Sequence, residues 1–250
     1  ACGAERRSGA RAAELAGVLM NFEQFRAPWW QPGGHVQTIW AALYAKVGVF
    51  PVWRRERWDT PDGDFIDIDF SSHPAGTNAP TLVLFHGLEG SSSSHYAKAL
   101  AQVCAQRGWH LAVPHFRGCS GEINLAPRAY HSGDSEEIDW ILKRIKQKHP
   151  ERPLYAVGIS LGGNALLKWI GEREEKASDL LCAAAAVSAP LDLTACGHHL
   201  ARGFNRVYTR HFLYTLKPAA AEKLKRFPNL FDAQKLHQAK TIFDFDDLFT

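Results

Sequence analysis

Residues 153–164 read PLYAVGISLGGN, and this stretch decides the fold. The apolar run at 154–157 is typical of a short buried strand, and the residues from 164 to 170 have helical spacing. Gly158-Ile159-Ser160-Leu161-Gly162 joins the two, in the Gly-x-Ser-x-Gly pattern of a nucleophile elbow. Such a turn holds its central residue in a strained conformation, and glycine two positions to either side avoids the collisions of a side chain.

Ser160 is therefore the candidate nucleophile. Its hydroxyl is expected to be exposed at the end of the strand, beside the positive N-terminal dipole of the following helix. The backbone N–H of Leu161, at the start of that helix, is a candidate donor to an oxyanion. The alternative is an ordinary glycine-rich strand-to-helix turn.

A second candidate donor follows the apolar run at 81–85, which predicts a strand covered on both faces. That strand ends in His86-Gly87-Leu88-Glu89-Gly90, where the glycines allow the backbone to bend inward. We expect the N–H of Leu88 to join that of Leu161 and to stabilise the negative oxygen of a tetrahedral intermediate. The alternative is an ordinary loop with a local hydrogen bond from His86, whose side chain is not expected to be a catalytic base.

Composition excludes several classes of protein. The chain has 250 residues, 46% of them hydrophobic and 22% charged, which suits one sizeable α/β domain. The net charge is +3 and acidic and basic residues are interspersed along the chain, so no nucleic-acid partner is predicted. No apolar run reaches the roughly 18 residues that a transmembrane helix needs.

The cysteines and histidines predict neither a metal nor another cofactor. The five cysteines show no C-x-x-C motif, and the histidines have no ligand spacing. An odd, scattered set of cysteines indicates reduced thiols and a cytoplasmic location. The cysteines are Cys2, Cys104, Cys119, Cys182 and Cys196.

The remaining core elements follow from periodicity and turn residues. Residues 52–58 and 65–70 alternate apolar and polar side chains around a turn, which predicts an antiparallel hairpin with Asp67 and Asp69 on its solvated face. Two more runs, 109–116 and 181–187, are predicted to be buried strands. Asp134 is predicted to cap the helix that begins at Ser135.

The two ends of the chain have their own patterns. Residues 1–27 are predicted to be an N-terminal extension. Within it, residues 1–19 are either an upstream extension or tag before a true start at Met20, or an amphipathic N-terminal helix. Residues 28–40 hold three tryptophans in a loop leading into a helix near 38–44, and they are expected to pack at the sheet edge or in an acyl pocket. Residues 191–250 show no strand pattern and predict a helical lid, broken at Pro218 and Pro228.

Alternating strands and helices from 81 to 190 predict a mostly parallel sheet with helices on both faces, within a core spanning 28–190. Four stretches carry a family resemblance: PWWQPGGHVQTIW (28–40), LVLFHGLEGSSSSHYAKAL (82–100), HFRGCSGEINLAPRAYHSGDSEEIDWIL (115–142) and YAVGISLGGNALLKWIGE (155–172). With them the chain resembles the α/β-hydrolase superfamily and, more narrowly, the YheT-like esterases. The resemblance implies carboxylic-ester hydrolysis through a Ser…Asp…His triad with Ser160 as nucleophile. Our leading hypothesis is a serine esterase that acts on a small-molecule ester with a short or medium acyl chain.

The sequence departs from that pattern after the lid. The resemblance places the acid and base beyond two further strands, whereas this chain stops at Thr250, so the core is expected to be truncated. One alternative is a rewired triad, in which Asp192 and one of the later histidines serve. Those histidines are His198, His199, His211 and His237. Two other functions stay open, namely acyl transfer to an alcohol and a non-catalytic binding protein of the same fold.

Overall fold

The computed structural model describes residues 26–44, 51–72 and 75–249, and the expectations for 1–25 lie outside these ranges. The strands are β1 (Trp53–Asp59), β2 (Phe65–Ser71), β3 (Thr81–Phe85), β4 (His110–Pro114), β5 (Leu154–Ile159) and β6 (Ala183–Val187). The α-helices are α1 (Gly33–Tyr44), α2 (His95–Arg107), α3 (Ser135–Lys148), α4 (Leu161–Arg173), α5 (Leu193–Leu200), α6 (Arg206–Arg226), α7 (Ala233–Gln238) and α8 (Ile242–Asp246). Glu174–Asp179 and Gly203–Asn205 are short 3₁₀ helices.

The strands form one sheet in the order β1-β2-β4-β3-β5-β6. β1 pairs antiparallel with β2, and β2 with β4, whereas β4, β3, β5 and β6 are mutually parallel. The sheet is thus mostly parallel behind an antiparallel hairpin, as predicted. Parallel strands end on the same side, so the segments after β3 and β5 come together at one edge.

Two apolar cores lie on opposite faces of the sheet. Val83 and Phe85 of β3 pack in one core with residues of α3 and α4. Leu84, between them in sequence, packs in the other core with residues of α2. Because successive strand residues point to opposite faces, β3 is covered on both, as its continuous apolar run predicts.

The predicted burial of the last strand is wrong. Every residue of β6 is exposed, and among the described residues only β5 pairs with this strand. The run of alanines at 183–186 indicates a strand correctly, but burial depends on what covers a strand. α4 contacts β6, but the described elements cover too little of the strand to bury any of its residues.

The prediction that Asp67 and Asp69 are solvated is also wrong, since each is only 2% exposed. β2 lies inside the sheet between β1 and β4, and arginines of β1 cover its polar face. Arg57 binds Asp67 and Arg55 binds Asp69, each through two nitrogens. Strand alternation separates polar from apolar faces, but it does not show whether water or a paired cation meets the polar one.

Arg117 is the centre of a second buried polar cluster. Its guanidinium contacts Glu137 at 2.6 Å, Asp62 at 2.8 Å and Asp64 at 3.0 Å. Burial, together with the nearby carboxylate of Asp134, raises the pKa of Glu137 to about 7. Arg117 therefore keeps two other carboxylate partners when Glu137 is protonated.

The C-terminal helical segment (residues 191–249) contains no strand among its described residues, as predicted. A helix ends before Pro228, also as predicted, but the predicted break at Pro218 is wrong because α6 continues through it. Proline inside a helix costs roughly 3 kcal/mol or more. Burial of Leu216 and Ala220 on either side of Pro218 offsets this cost.

Helix α1 differs from its prediction in length and surroundings. It begins at Gly33 rather than near residue 38, and none of its residues is buried. Trp29, Trp30 and Trp40 are exposed, so the expectation that they pack at the sheet edge or in a pocket is wrong. Instead α1 meets the C-terminal helical segment through the His35 ring, whose Nδ1 lies 3.0 Å from the hydroxyl of Tyr208.

Two smaller expectations also change. Asp134 lies at the N-cap position of α3, but its carboxylate pairs with Arg128 at 2.6 Å rather than with the helix backbone. Cys182 is disulfide-bonded, so the expectation of a fully reduced set of cysteines is wrong at that position. Free thiols among the described residues belong to Cys104, Cys119 and Cys196.

Glu137→Gln should change how stability depends on pH. The folded-state pKa of about 7 lies above the ordinary 4.5, so the folded state binds more protons between these values and wild-type stability falls as pH rises through them. The variant cannot titrate there. Between about pH 4.5 and about pH 8, the free energy of unfolding of the variant should therefore rise by on the order of 3 kcal/mol relative to that of wild type.

Urea unfolding of both proteins across that pH range measures the effect. Glu136→Gln, an exposed neighbour on α3, is the matched control and should follow wild type. Parallel pH profiles for wild type and Glu137→Gln would contradict the prediction.

Candidate active site

Ser160 lies at the junction of β5 and α4 with φ 51° and ψ −118°, the strained conformation that the Gly-x-Ser-x-Gly pattern predicts. Its N–H donates to the carbonyl of Val187 at 2.9 Å, and its carbonyl accepts from the N–H of Asn164 at 2.9 Å. The residue is half-buried. These two backbone bonds fix the serine between the end of β6 and the first turn of α4.

Glycine is required on both sides of Ser160. A β-carbon on Gly158 would lie 2.5 Å from the carbonyl oxygen of Gly162, and one on Gly162 would collide with the carbonyl oxygens of Phe85 and His86. These are backbone atoms, which cannot rotate away as a side chain can. The first turn of α4 thus lies directly against the end of β3.

The loop that follows β3 borders the serine. A β-carbon on Gly87 would lie 3.3 Å from the β-carbon of Ser160. Three of the loop's N–H groups already have acceptors: Gly87 donates to the Tyr96 hydroxyl at 3.0 Å, Glu89 to the Tyr130 hydroxyl at 3.0 Å, and Gly90 to the carbonyl of Gly87 at 2.9 Å. The N–H of Leu88 makes no hydrogen bond with any described residue.

The side chain of His86 stabilises this loop through hydrogen bonds and is not placed to act as a base. The N–H of Phe116 donates to its Nε2 at 3.0 Å, so the ring proton resides on Nδ1, which donates to the carbonyl of Gly87 at 2.8 Å. Full burial lowers the pKa of His86 to about 3 and keeps the ring neutral. Both ring nitrogens are therefore used within the loop.

The polar groups around Asp69 extend this support. Asp69 accepts a hydrogen bond from Ser92, just after the loop, at 2.5 Å, and contacts His115 at 2.8 Å. Burial alone would raise the pKa of Asp69, but hydrogen bonds from Arg55, His115 and Ser92 lower it well below the ordinary value. The carboxylate is therefore charged and ties the hairpin to the loop.

The sequence did not reveal the two tyrosines that fix the loop. Tyr130 lies in a long irregular segment with no pattern to mark it, and its hydroxyl both accepts from the N–H of Glu89 and donates to that residue's carboxylate at 2.8 Å. Burial raises the pKa of Tyr130 well above its usual range. Tyr96 lies in the first turn of α2, where only its closeness to the loop in sequence could have indicated the contact.

The structure does not bring a rewired triad together. Asp192 caps α5 by accepting from the N–H of Ala195 at 2.8 Å. Among the described residues, none of the later histidines makes a hydrogen bond with Ser160, and His198 instead stacks on Phe243. The alternative that used Asp192 and these histidines therefore has no geometric support.

Within the described ranges, no three histidine, cysteine or acidic side chains converge as a metal site would need. The helices in the same ranges are all too short or too polar to cross a bilayer.

The contact at Gly162 gives a stability prediction. Gly162→Ala should destabilise the fold by about 1–3 kcal/mol or more, because the new methyl group meets two backbone carbonyls. Gly171→Ala, in the same helix with open space around it, should instead stabilise by about 0.5–1 kcal/mol. Thermal and urea unfolding of both variants measure the difference, and equal effects would contradict the packing described here.

Comparisons with known proteins agree with the fold described above. A family model described as alpha/beta hydrolase fold matches residues 80–239. The chain is 43% identical over 221 residues to "Putative esterase YheT" of Escherichia coli, covering 86% of this chain and 64% of the relative. It is 29% identical over 205 residues to the human "Phospholipase ABHD3", covering 79% of this chain and 50% of the relative.

A solved structure, the Pyrococcus furiosus esterase Pf2001, superposes with a TM-score of 0.49 at 19% identity, covering 68% of this chain and 63% of that one. The chain spans about half to two thirds of the length of the two curated relatives named above. From the family match and the sheet described above, the chain belongs to the α/β-hydrolase fold family and, within it, is similar to the YheT-like esterases.

Proposed function

We propose that the protein is a serine hydrolase that cleaves carboxylic esters through an acyl-enzyme on Ser160. The observation that carries the proposal is the strained serine at the strand-to-helix bend, directly beside the loop after β3. The names of the relatives, an esterase and a phospholipase, support hydrolysis of an ester bond.

In this proposal the N–H groups of Leu88 and Leu161 form the oxyanion hole. Leu161 is the first residue of α4, where a helix offers no acceptor for its N–H groups. Leu88 is in the loop whose other N–H groups, from Gly87 through Gly90, are already engaged. Both groups are therefore available to a ligand, and the helix dipole adds positive potential at the same place.

The reaction would follow from these positions. The Ser160 hydroxyl oxygen attacks the ester carbonyl carbon, and the carbonyl oxygen takes the negative charge and accepts from the two N–H groups. Collapse of the tetrahedral intermediate releases the alcohol and leaves the acyl group on the serine. Water then attacks the acyl-enzyme and releases the acid.

The serine proton needs a base, and none of the described histidines reaches Ser160. We propose that the acid and base of the parent protein come from chain that pairs with the open edge of β6. The end of this strand is close to the nucleophile, since Val187 accepts the N–H of Ser160. A further parallel strand there would end on the same side as the serine.

Residues 191–249 would act as a lid, and the acyl chain would lie beneath it. Leu88 is part of an apolar cluster with Leu213, Leu216 and Phe245 of the C-terminal helical segment. The loop beside Ser160 is thus continuous with an apolar surface. Such a surface suits the short or medium acyl chain of a small ester substrate.

Ser160→Ala should abolish labelling of the full-length parent protein by a fluorophosphonate probe and lower ester hydrolysis by at least roughly 10⁴-fold. Ser120→Ala, which removes another hydroxyl in a loop after a strand, should leave labelling unchanged. Gel fluorescence and a chromogenic acyl ester assay measure the two effects. Labelling that survives in Ser160→Ala rejects the assignment.

Leu88→Pro should lower kcat roughly 10²–10³-fold with little change in KM, because it removes the N–H that would stabilise the transition state. Leu88→Ala keeps the N–H and removes only the side chain, so it is the matched control. Steady-state kinetics of both variants test the role. An equal loss of kcat in both would show that the side chain, rather than the N–H, matters.

A second candidate is a non-catalytic binding protein of the same fold. It is favoured by the lack, in the part of the chain described, of an imidazole beside Ser160. A full-length protein that neither labels nor hydrolyses esters would support it. Product analysis with added ethanol separates hydrolysis from acyl transfer to an alcohol.

A further inference from the structure

Helix α1 carries its exposed apolar side chains along one side. Val36, Trp40, Leu43 and Tyr44 are spaced at i, i+4, i+7 and i+8, which places them on one helical face. Trp30, just before the helix, meets Trp40 edge-to-face with ring centroids 4.8 Å apart, and the tilted rings of Trp40 and Tyr44 lie 4.7 Å apart. The result is a row of aromatic rings on the surface.

A second exposed apolar row lies on α6. Val207 is 50% exposed and Tyr214, seven residues later, is 80% exposed. The opposite side of α6 packs inward through Leu213 and Leu216. α1 meets α6 where His35 contacts Tyr208, and the same ring contacts Phe204 of the 3₁₀ helix before α6, so the two rows lie on helices joined at this point. We call the exposed residues Trp30, Trp40, Leu43, Tyr44, Val207 and Tyr214 the aromatic face.

The two segments that carry this face hold basic residues but no acidic ones. No acidic residue occurs at 26–44 or at 193–221. Arg202, Arg206 and Arg210 are exposed, and none of them forms an ion pair with a described carboxylate. Most other arginines of the described core, such as Arg117, are paired with acids.

We propose that the aromatic face docks on a lipid surface that contains anionic headgroups. Tryptophan and tyrosine favour the boundary between headgroups and acyl chains, because their rings are apolar while their N–H and O–H groups stay hydrated. The unpaired arginines on α6 complement the negative headgroups. The face also carries aliphatic side chains, Leu43 on α1 and Val207 on α6, and these suit acyl chains better than nucleic-acid bases.

This docking would place the lipid beside the C-terminal helical segment. The inner side of α6 packs in the cluster that contains Leu88, whereas its outer side carries Val207 and Tyr214. One helix would therefore contact the membrane on one side and the loop beside Ser160 on the other. The docking itself does not depend on the chemistry of Ser160.

Sedimentation of the full chain with vesicles tests the proposal. Binding is expected to equimolar phosphatidylglycerol and phosphatidylcholine, to weaken with salt, and to be weaker on phosphatidylcholine alone. Trp40→Ser/Leu43→Ser/Tyr44→Ser should lose binding by more than roughly 100-fold without loss of fold, because these residues are exposed. Arg206→Gln/Arg210→Gln should weaken binding to anionic vesicles by about 30-fold.

Matched controls lie on α2, outside the aromatic face. Val103→Ser removes another exposed apolar side chain and Arg107→Gln another exposed arginine, and both should bind as wild type does. Ser160→Ala should also bind as wild type does, which keeps this test separate from that of the esterase activity.

Several results would overturn the proposal. The first is that the wild-type chain does not bind the anionic vesicles. The second is that the two multiple variants bind these vesicles as tightly as the wild-type chain does. A third is size-exclusion data showing that the aromatic substitutions dissociate a dimer while leaving vesicle binding intact. The fourth is tighter binding to a single-stranded oligonucleotide, lost in the same variants.

Discussion

The first turn of α4 touches the end of β3 at Gly162, with no room for a β-carbon between the two backbones. Two other close contacts support this one. Gly158 faces the same turn of α4, and a β-carbon on Gly163 would lie 2.9 Å from that of Ala189. Because backbone meets backbone here, the distance between β5, α4 and the loop after β3 cannot vary with side-chain rotamers. The position of Ser160 relative to that loop follows from this contact.

Buried charges fix the same loop from the opposite side. Asp69 ties Ser92 and His115 to the hairpin, and neutral His86 bridges the carbonyl of Gly87 and the N–H of Phe116. Buried ion pairs contribute little net stability, because desolvation opposes the attraction between the charges. Their effect is on geometry, since each partner left alone would be a costly buried charge. The hairpin thus matters to the site although it is far from it in sequence.

A third polar link joins the core to the C-terminal helical segment. Lys223 of α6 donates to the side chain of Asn124 at 2.6 Å, and Asn124 in turn donates to Asp64 at 2.5 Å. Burial lowers the pKa of Lys223 to about 8, so this ammonium group stays mostly protonated at neutral pH. The C-terminal helical segment is therefore held to the core by the hydrogen bond from Lys223 as well as by the apolar cluster around Leu88.

Local rules were sufficient where backbone geometry decides the structure. The glycines at 158 and 162 predicted the strained serine, and the apolar runs predicted β3 and β5. The same local rules failed where burial depends on residues that are far away in sequence. Asp69 is buried because Arg55 covers it, and β6 is exposed because the described elements cover too little of it. Neither burial can be predicted from residues close in sequence, because both depend on which strands lie next to each other in the sheet.

The open edge of β6 has a consequence for the nucleophile itself. The N–H of Ser160 donates to the carbonyl of Val187, the last residue of β6, so the strand and the elbow are joined at one hydrogen bond. A strand paired on one side opens more readily than one paired on both, and opening at Val187 would free the serine backbone from one of its two fixed contacts. A strand added at this edge would hold Val187 in place. The element that we propose brings the base to Ser160 would therefore also stiffen the bend that presents the serine, so the two halves of the catalytic arrangement would form together.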